Sequence, residues 1–227
     1  MNLPYEYKTK SQAIYTAIRG MITSGDYEPE EIFNSVDIAR RFGVSRTPVT
    51  EAVKMLEARG LVTILPGVGF KVRKPTMLEV LELLEIRGAL ELLAIKKAVK
   101  LCCTDDVNCL DNILFEIEKC LKTRDVEEYL RLNEEFHFKL YKLSKYSRLI
   151  QLQRDLWDCE GWYASVLHDN PQEIKILLAD HHKIVNCLRD KDNAQSEVVA
   201  QEHWFHCVEV LQKKIKQSFE KEDNNEV

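Results

Sequence analysis

The segment FGVSRTPVTEAVKMLEARGLV, residues 42–62, constrains the fold of this chain more than any other stretch of the sequence. After a polar turn it shows an apolar stripe at helical spacing, formed by Val49, Ala52, Val53 and Leu56. Four of the side chains off this stripe are basic or carry a hydroxyl group: Arg46, Thr47, Thr50 and Lys54. The pattern predicts a helix that packs by one side and presents a basic, polar surface on the other.

Two shorter helix patterns precede this helix. The segment SQAIYTAIRGMI is apolar on one face, and SGDYEP ends it. Ser35 is expected to cap the next helix, VDIARRF, which carries Arg40 and Arg41 near its end. Ser45 is expected to cap the helix that follows. Two helices joined by a short glycine turn, the second one basic near its N-terminus, predict a helix-turn-helix.

After Gly60 the apolar period changes from helical to two. The stretches LVTI and FKVR flank LPGVG, with Phe70 and Val72 on one face and Lys71 and Arg73 on the other. This alternation predicts a β-hairpin whose tip and basic face reach DNA, as a wing does. The alternative is a small helical domain whose hairpin has no part in binding.

Charge is distributed unevenly along the chain. Residues 1–74 carry 11 Lys and Arg against 8 Asp and Glu, a net charge of +3, and the remainder carries 21 against 29, a net charge of −8. A basic module on an acidic body fits a partner that is negative at one end only, and ordinary surface charge is the alternative. The chain has no run of 18 apolar residues and no secretory signal pattern, and its seven cysteines lack paired spacing. A cytoplasmic protein with reduced thiols and no membrane partner is therefore expected.

The segment RKPT marks the boundary between two domains. Residues 1–74 are expected to form the DNA-binding domain, and residues 76–220 an all-helical domain for effector binding and dimerisation. Breaks such as CCTDD, KTRD, SKYS, HDNP and RDKDN divide the second domain into about six helices. The expected caps of these helices include Thr76 with Glu79, Thr104, Asp125 and Asp192. The predicted fold class is mainly α, with a winged helix-turn-helix followed by a helical bundle.

Polar residues interrupt the apolar stripes of three helices in the second domain. They are Asn133, His137, His181 and His203. A single inward histidine is usually an ordinary core residue, but three in one domain favour a metal site, because imidazoles from facing helices are how bundles hold transition metals. His182 and His206 lie at the margins of their stripes and are second-choice ligands.

Arg87 is also surrounded by leucines at helical spacing. A buried guanidinium needs an anion. One candidate is Glu91, four residues later on the same helix face. The other is the carboxylate of a bound metabolite, held by two hydrogen bonds.

The segment VSRTPVTEAVKMLEARGLV, followed by PGVGFKV, resembles the winged helix-turn-helix of GntR-type bacterial transcription regulators. The resemblance implies that Arg46 reads a base edge of double-stranded operator DNA with help from Thr47, while Arg40 and Arg41 contact phosphates. It also implies that Gly69 lets the wing backbone approach the groove.

Thr50 departs from the family pattern, because a second arginine is common at that position. An arginine bound to guanine by two hydrogen bonds is the strongest base contact. Its absence at this position should relax or change the operator sequence that the protein prefers, without abolishing binding.

The segments ELLEIRGALELLAIKKA, NEEFHFKLYKLS, DHHKIVNCLRDKD and AQEHW resemble the FCD domain, the helical ligand-binding domain of the FadR subfamily of GntR regulators. The resemblance implies a divalent metal such as Zn, Ni, Mn or Fe, with a ligand set of Asn133, His137, His181 and His203. It also implies that Arg87 and the residue at the position of Tyr146 face the effector. Asn133 stands where the family has Asp, so the metal charge is uncompensated unless an anionic effector supplies it.

Together these features predict a regulator that binds a palindromic operator as a homodimer and responds to a small organic acid, bridged by a metal ion. One alternative is a hydrolase with a three-histidine metal site; against it, the sequence places no inward Glu or Asp beside these histidines to act as general base. The other alternative is a DNA-binding dimer that responds to no effector.

Overall fold

A computed structural model of the chain describes residues 9–158 and 170–225. The chain divides into two compact units, and the main boundary between them lies between Thr76 and Met77. Each unit has its own cluster of buried apolar side chains. The predicted fold class is confirmed: the described chain is mainly helical, with a small sheet in the first unit only.

The first unit has three helices and three short strands. In chain order they are α1 (Lys10–Thr23), β1 (Ile32–Phe33), α2 (Ser35–Phe42), α3 (Arg46–Ala58), β2 (Val62–Leu65) and β3 (Gly69–Val72). The predicted apolar stripe of α3 lies in the core, where Val49, Ala52 and Leu56 are fully buried. This burial fixes which side of α3 faces outward.

The capping of α2 and α3 differs from the prediction. Asn34 rather than Ser35 caps α2, because its amide oxygen accepts hydrogen bonds from the backbone N–H groups of Val36 and Asp37, each at 2.9 Å. Ser45 does occupy the cap position of α3, but its side chain makes no capping hydrogen bond. The glycine turn between the helices is as expected, since Gly43 has φ of 65° and ends α2.

The sheet has the strand order β1-β3-β2, and both pairings are antiparallel. The predicted hairpin is the β2–β3 pair, and Phe70 and Val72 bury one of its faces. The strand β1 was not predicted, because two residues are too few to show an alternating pattern. It pairs Ile32 with Lys71 and Phe33 with Phe70.

The second unit consists of helices in its described part. They are α4 (Met77–Leu101), α5 (Thr104–Thr123), α6 (Val126–Leu143), α7 (Ser147–Asp158), α8 (Pro171–Asp190) and α9 (Asn193–Asn225). The predicted breaks CCTDD, KTRD, SKYS and RDKDN fall between these helices, and HDNP lies partly outside the described residues. No helix among the described residues is long and apolar enough to span a membrane.

Two of the predicted caps in the second unit are confirmed and one is wrong. Asp125 accepts a hydrogen bond from the backbone of Glu128 at 3.0 Å, and Asp192 accepts one from Gln195 at 2.9 Å. The cap of α5 is Cys103, not Thr104, because the carboxylate of Asp106 reaches back to the Cys103 backbone N–H and thiol. These hydrogen bonds lower the pKa of Asp106.

A glycine sets the packing of α9 on α4. The Trp204 side chain of α9 lies over Gly88 of α4, where a Cβ atom would be 2.4 Å from Trp204 Cδ1. The indole N–H also donates a 3.1 Å hydrogen bond to the carbonyl of Leu84. The two helices therefore approach closely at this point and bring His203 into the bundle, where it is buried.

Candidate nucleic-acid interface and candidate metal centre

The outward face of α3 carries the side chains that the sequence singled out. Arg46, Thr47, Thr50 and Lys54 are all exposed. The Thr50 hydroxyl donates a 3.1 Å hydrogen bond to the carbonyl of Arg46, which occupies its donor within the helix. Arg46 stands in the first turn of α3, where the free N–H groups of the helix also favour an anionic partner.

The two arginines of α2 are held differently. Arg40 is 77% exposed and lies 3.2 Å from Asp37 one turn earlier. Arg41 donates a 3.1 Å hydrogen bond to the Tyr27 hydroxyl and lies over the ring of that tyrosine. Arg40 is thus a loosely held surface cation, whereas Arg41 has a defined position within the first unit.

In the wing, Lys71 forms an ion pair with Glu30. Gly69 has φ of 156°, and a Cβ atom there would be 1.9 Å from the carbonyl oxygen of Phe33. Its close backbone neighbour in the structure is therefore β1, which accounts for glycine at this position without any DNA contact. Gly67, with φ of 77° and open space around its Cα, occupies the turn between β2 and β3.

The three inward histidines of the second unit come together. His137 of α6, His181 of α8 and His203 of α9 are buried, and one ring nitrogen of each lies within 4.8 Å of the others. Phe136 stacks on His181 with ring centroids 4.4 Å apart. Asn133 is buried one turn before His137 on α6. Helices far apart in the sequence thus converge on one cluster of imidazoles.

Glu91 of α4 contacts two of these imidazoles. Its carboxylate lies 3.2 Å from His137 Nδ1 and 3.8 Å from His203 Nε2, and it accepts a 2.5 Å hydrogen bond from the Tyr141 hydroxyl. Burial alone would raise the pKa of Glu91, but the contacts with His137, His203 and Tyr141 outweigh burial and hold it well below its usual range. The group is a buried, ionised carboxylate.

A second buried carboxylate, Asp180 of α8, lies on the far side of His203. It is 1% exposed, and its Oδ2 is 2.5 Å from His206 Nδ1 and 3.9 Å from His203 Nδ1. Its Oδ1 is 3.0 Å from the ammonium group of Lys183, which also pairs with Glu202 at 3.2 Å. His206 therefore binds the carboxylate beside the cluster rather than joining the three converging nitrogens.

The imidazoles do not share one protonation behaviour. Burial lowers the pKa of His137, despite the attraction of Glu91. Burial would also lower the pKa of His203, but Cys207, Asp180 and Glu91 together raise it well above its ordinary value. Cys207 Sγ lies 3.9 Å from His203 Nε2. A metal ion at this cluster would displace the proton of His203, since metal ligands must be deprotonated.

Arg87 lies one helical turn before Glu91 and is linked to the same group of residues. Its guanidinium hydrogen-bonds the buried Tyr141 hydroxyl, and its carbonyl accepts a 3.1 Å hydrogen bond from Gln153. The Glu91 carboxylate points to the imidazoles and Tyr141.

Two candidate residues lie away from the cluster. Tyr146 is 41% exposed, its backbone N–H bonds the Ser144 hydroxyl, and Lys97 lies over its ring at 5.3 Å. The side chain of His182 is 43% exposed and pairs with Glu118 at 3.0 Å on the surface. The structure does not bring either side chain to the imidazoles.

The chain matches two known families. Residues 10–72 match the family described as bacterial regulatory proteins, gntR family, and residues 82–206 match the FCD domain. The protein is a GntR-family transcription regulator with an FCD domain. The second match alone covers more than half of the chain, and its residues include all three histidines of the cluster.

Similar proteins match this GntR regulator over most of their own length and of its length. It is 29% identical over 199 residues to the HTH-type transcriptional regulator YdhC of Bacillus subtilis, covering 87% of this chain and 88% of that protein. It is 29% identical over 200 residues to the Nta operon transcriptional regulator of Aminobacter aminovorans, covering 84% and 91%. The solved structure of McbR/YncC from Escherichia coli shares the fold, with a TM-score of 0.77 at 22% identity over 95% of this chain and 99% of that one.

One sequence-based argument about the regulator is wrong. The sequence was expected to place no inward Glu or Asp beside the histidines, yet Glu91 lies 3.2 Å from His137 and Asp180 lies 3.9 Å from His203. Asp180 directly precedes His181, so it faces away from the His181 stripe and meets His203 and His206 of the neighbouring helix instead. The family membership, rather than a missing carboxylate, identifies the protein as a DNA-binding regulator and not an enzyme.

The cluster fits a transition metal. Three buried imidazoles with nitrogens within 4.8 Å of one another are a donor set that Zn, Ni and Fe accept. Asn133, which carries a neutral amide oxygen, is buried on the same helix one turn before His137. FCD domains often bind a metal, which agrees with this donor set.

Proposed function

We propose that this protein is a metabolite-responsive regulator, in which residues 1–74 bind a palindromic operator and residues 76–220 dimerise and bind a small organic acid through a divalent metal. The observation that carries the proposal is the convergence of His137, His181 and His203 in a buried cluster. Imidazoles that converge from facing helices are the arrangement by which helical bundles hold transition metals.

The DNA-binding part of the proposal rests on α3 and the wing. Arg46 and Thr47 begin the exposed face of α3, where they would reach base edges, while Thr50 and Lys54 continue it. Arg40 and Arg41 on α2, with Lys71 and Gly69 in the wing, would contact the DNA backbone. Lys71 must first leave Glu30, so the wing contact competes with an ion pair inside the protein.

The effector part rests on the second unit. His137, His181, His203 and Asn133 would hold the metal, which supplies a Lewis-acidic position for an acid oxygen. Arg87, beside Tyr141, would bind the carboxylate of the same acid with two hydrogen bonds. Tyr146 was also proposed to face the effector, but its exposed position next to Lys97 gives this role no support.

The first test is elemental analysis of protein purified without chelator or affinity tag. We expect about one Zn, Ni, Mn or Fe per chain, lost in His137→Ala. Acetate, malate and citrate, as probes with one, two and three carboxylates, should then bind the metal-loaded protein more tightly than the metal-free protein and change its affinity for DNA.

Two outcomes favour the alternatives. Operator binding that ignores all carboxylates and metals would favour a DNA-binding dimer without an effector. Retention of full metal content in His137→Ala would place the metal elsewhere and remove the imidazole cluster from the proposal.

A further inference from the structure

The metal ligand set in the proposed site is electrically neutral. Three imidazoles and the Asn133 amide carry no charge, so a divalent ion would bring an uncompensated charge of +2 into a buried site. Burying such a charge without compensation is costly. Negative charge from other groups of this chain would therefore stabilise the bound ion.

Glu91 has the position for this role. Its side chain is nine-tenths buried, and its carboxylate lies 3.2 Å from His137 Nδ1, which leaves Nε2 of that ring for a metal ion. The 3.8 Å separation from His203 Nε2 is too long for a hydrogen bond, so Glu91 acts on that ring only through its charge. A carboxylate that accepts the N–H of an imidazole fixes the orientation of the ring and makes its other nitrogen a stronger donor. The hydrogen bond from Tyr141 holds the carboxylate in place.

Asp180 stands in a similar position on another side of the cluster. Its Oδ2 is 3.9 Å from His203 Nδ1 and directly contacts His206. Lys183 pairs with Oδ1, but the same ammonium group also contacts Glu202, so one cation is shared by two carboxylates. The two buried carboxylates, each with a charge of −1, together match the +2 of the ion.

We propose that Glu91 and Asp180 are positioning residues, which orient His137 and His203 respectively from the Nδ1 side and supply the negative charge that Asn133 does not. This inference rests on the proposed metal site and adds to it: the site binds a divalent ion before any organic acid arrives. The acid then enters a site that is already neutral overall, and its own charge is met by Arg87.

The experiment measures Zn²⁺ affinity by competition with a chromophoric chelator, in buffer free of carboxylates. Glu91→Gln keeps the size of the side chain and an acceptor for Tyr141 but removes the charge, and it should weaken Zn²⁺ binding about 10–100-fold. Asp180→Asn should weaken binding in the same direction. Urea unfolding in EDTA shows whether each variant folds without metal. If Glu91→Gln does not fold, the Zn²⁺ affinity of Asp180→Asn alone tests the proposal.

The matched control is Glu118→Gln, which removes a carboxylate that contacts an exposed histidine, His182, outside the cluster. This variant should bind Zn²⁺ as the parent protein does. Asn133→Asp, introduced into Glu91→Gln, should restore affinity by returning a negative charge to the site. The visible spectrum of bound Co²⁺ should keep its form in Glu91→Gln, because the imidazole ligands are unchanged.

Each opposing outcome has a distinct meaning. Equal Zn²⁺ affinity in the parent protein, Glu91→Gln and Asp180→Asn would overturn the role of the carboxylates while leaving the metal site standing. An equal loss in Glu118→Gln would reduce the effect to net charge and overturn it as well. A parent protein that binds neither Zn²⁺ nor Co²⁺ would remove the metal site itself, and the carboxylate role with it.

Discussion

At the scale of single residues, Arg46 makes the most direct prediction. The test uses a DNA duplex that the parent protein has selected from random sequences. Arg46→Ala should weaken binding to this duplex by about 1–3 kcal/mol, because the variant lacks the two hydrogen bonds that the arginine makes to a base edge. Binding to a scrambled duplex should change much less. Gel-shift titrations of both duplexes at one salt concentration measure the difference.

The control for Arg46 is Lys54→Ala on the same exposed face. A lysine that contacts phosphate should affect both duplexes alike and reduce the salt dependence of binding. Unchanged affinity of Arg46→Ala for the selected duplex would show that α3 does not read the operator through this residue.

The sequence predicted single residues well where one helix decides their position. The stripe of α3 and the inward histidines follow from helical spacing, and all of them are buried as expected. Contacts between helices were not predictable in this way. Glu91 meets His137 across 46 positions of the chain, and Tyr141, one turn after His137, was overlooked although it extends the same stripe.

At the scale of elements, the crossing of α4 and α9 depends on Gly88. Gly88→Ala places a methyl group 2.4 Å from Trp204 Cδ1, so the helices must separate or the indole must move. Overpacking of this kind costs about 1–3 kcal/mol. Urea unfolding followed by circular dichroism should show the loss in the transition of the second unit.

Gly20→Ala is the opposite control. Gly20 lies within α1 and has no atom within 4 Å of a Cβ position, so alanine there should stabilise the first unit by about 0.4–1 kcal/mol. A Gly88→Ala protein as stable as its parent would mean that Trp204 repacks at no cost.

Elements were predictable when they were long. The helices of the second unit follow from periodicity and from polar breaks, and their ends lie within a few residues of those breaks. Two-residue strands and the choice between neighbouring cap residues were not predictable. The strand β1 is defined by its pairing with β3, which its own two residues cannot reveal. The caps of α2 and α5 are each one residue earlier than predicted. Asn34 takes the cap position instead of Ser35, and Cys103 takes it instead of Thr104.

At the scale of the whole molecule, the proposed regulator must obey thermodynamic linkage. If a bound acid changes operator affinity by some factor, operator DNA must change the affinity for that acid by the same factor. Citrate on the Zn²⁺-loaded protein is a suitable probe, with binding measured by calorimetry in the presence and absence of the selected duplex.

The expected factor is about 5–150-fold, the usual range for coupling between two sites. Arg87→Lys keeps a positive charge but not the paired hydrogen bonds of a guanidinium. It should therefore weaken citrate binding while leaving operator affinity without citrate unchanged. If citrate bound equally well with and without DNA, the helical domain would bind its ligand without regulating α3. The imidazole cluster would then stabilise the second unit rather than transmit a signal.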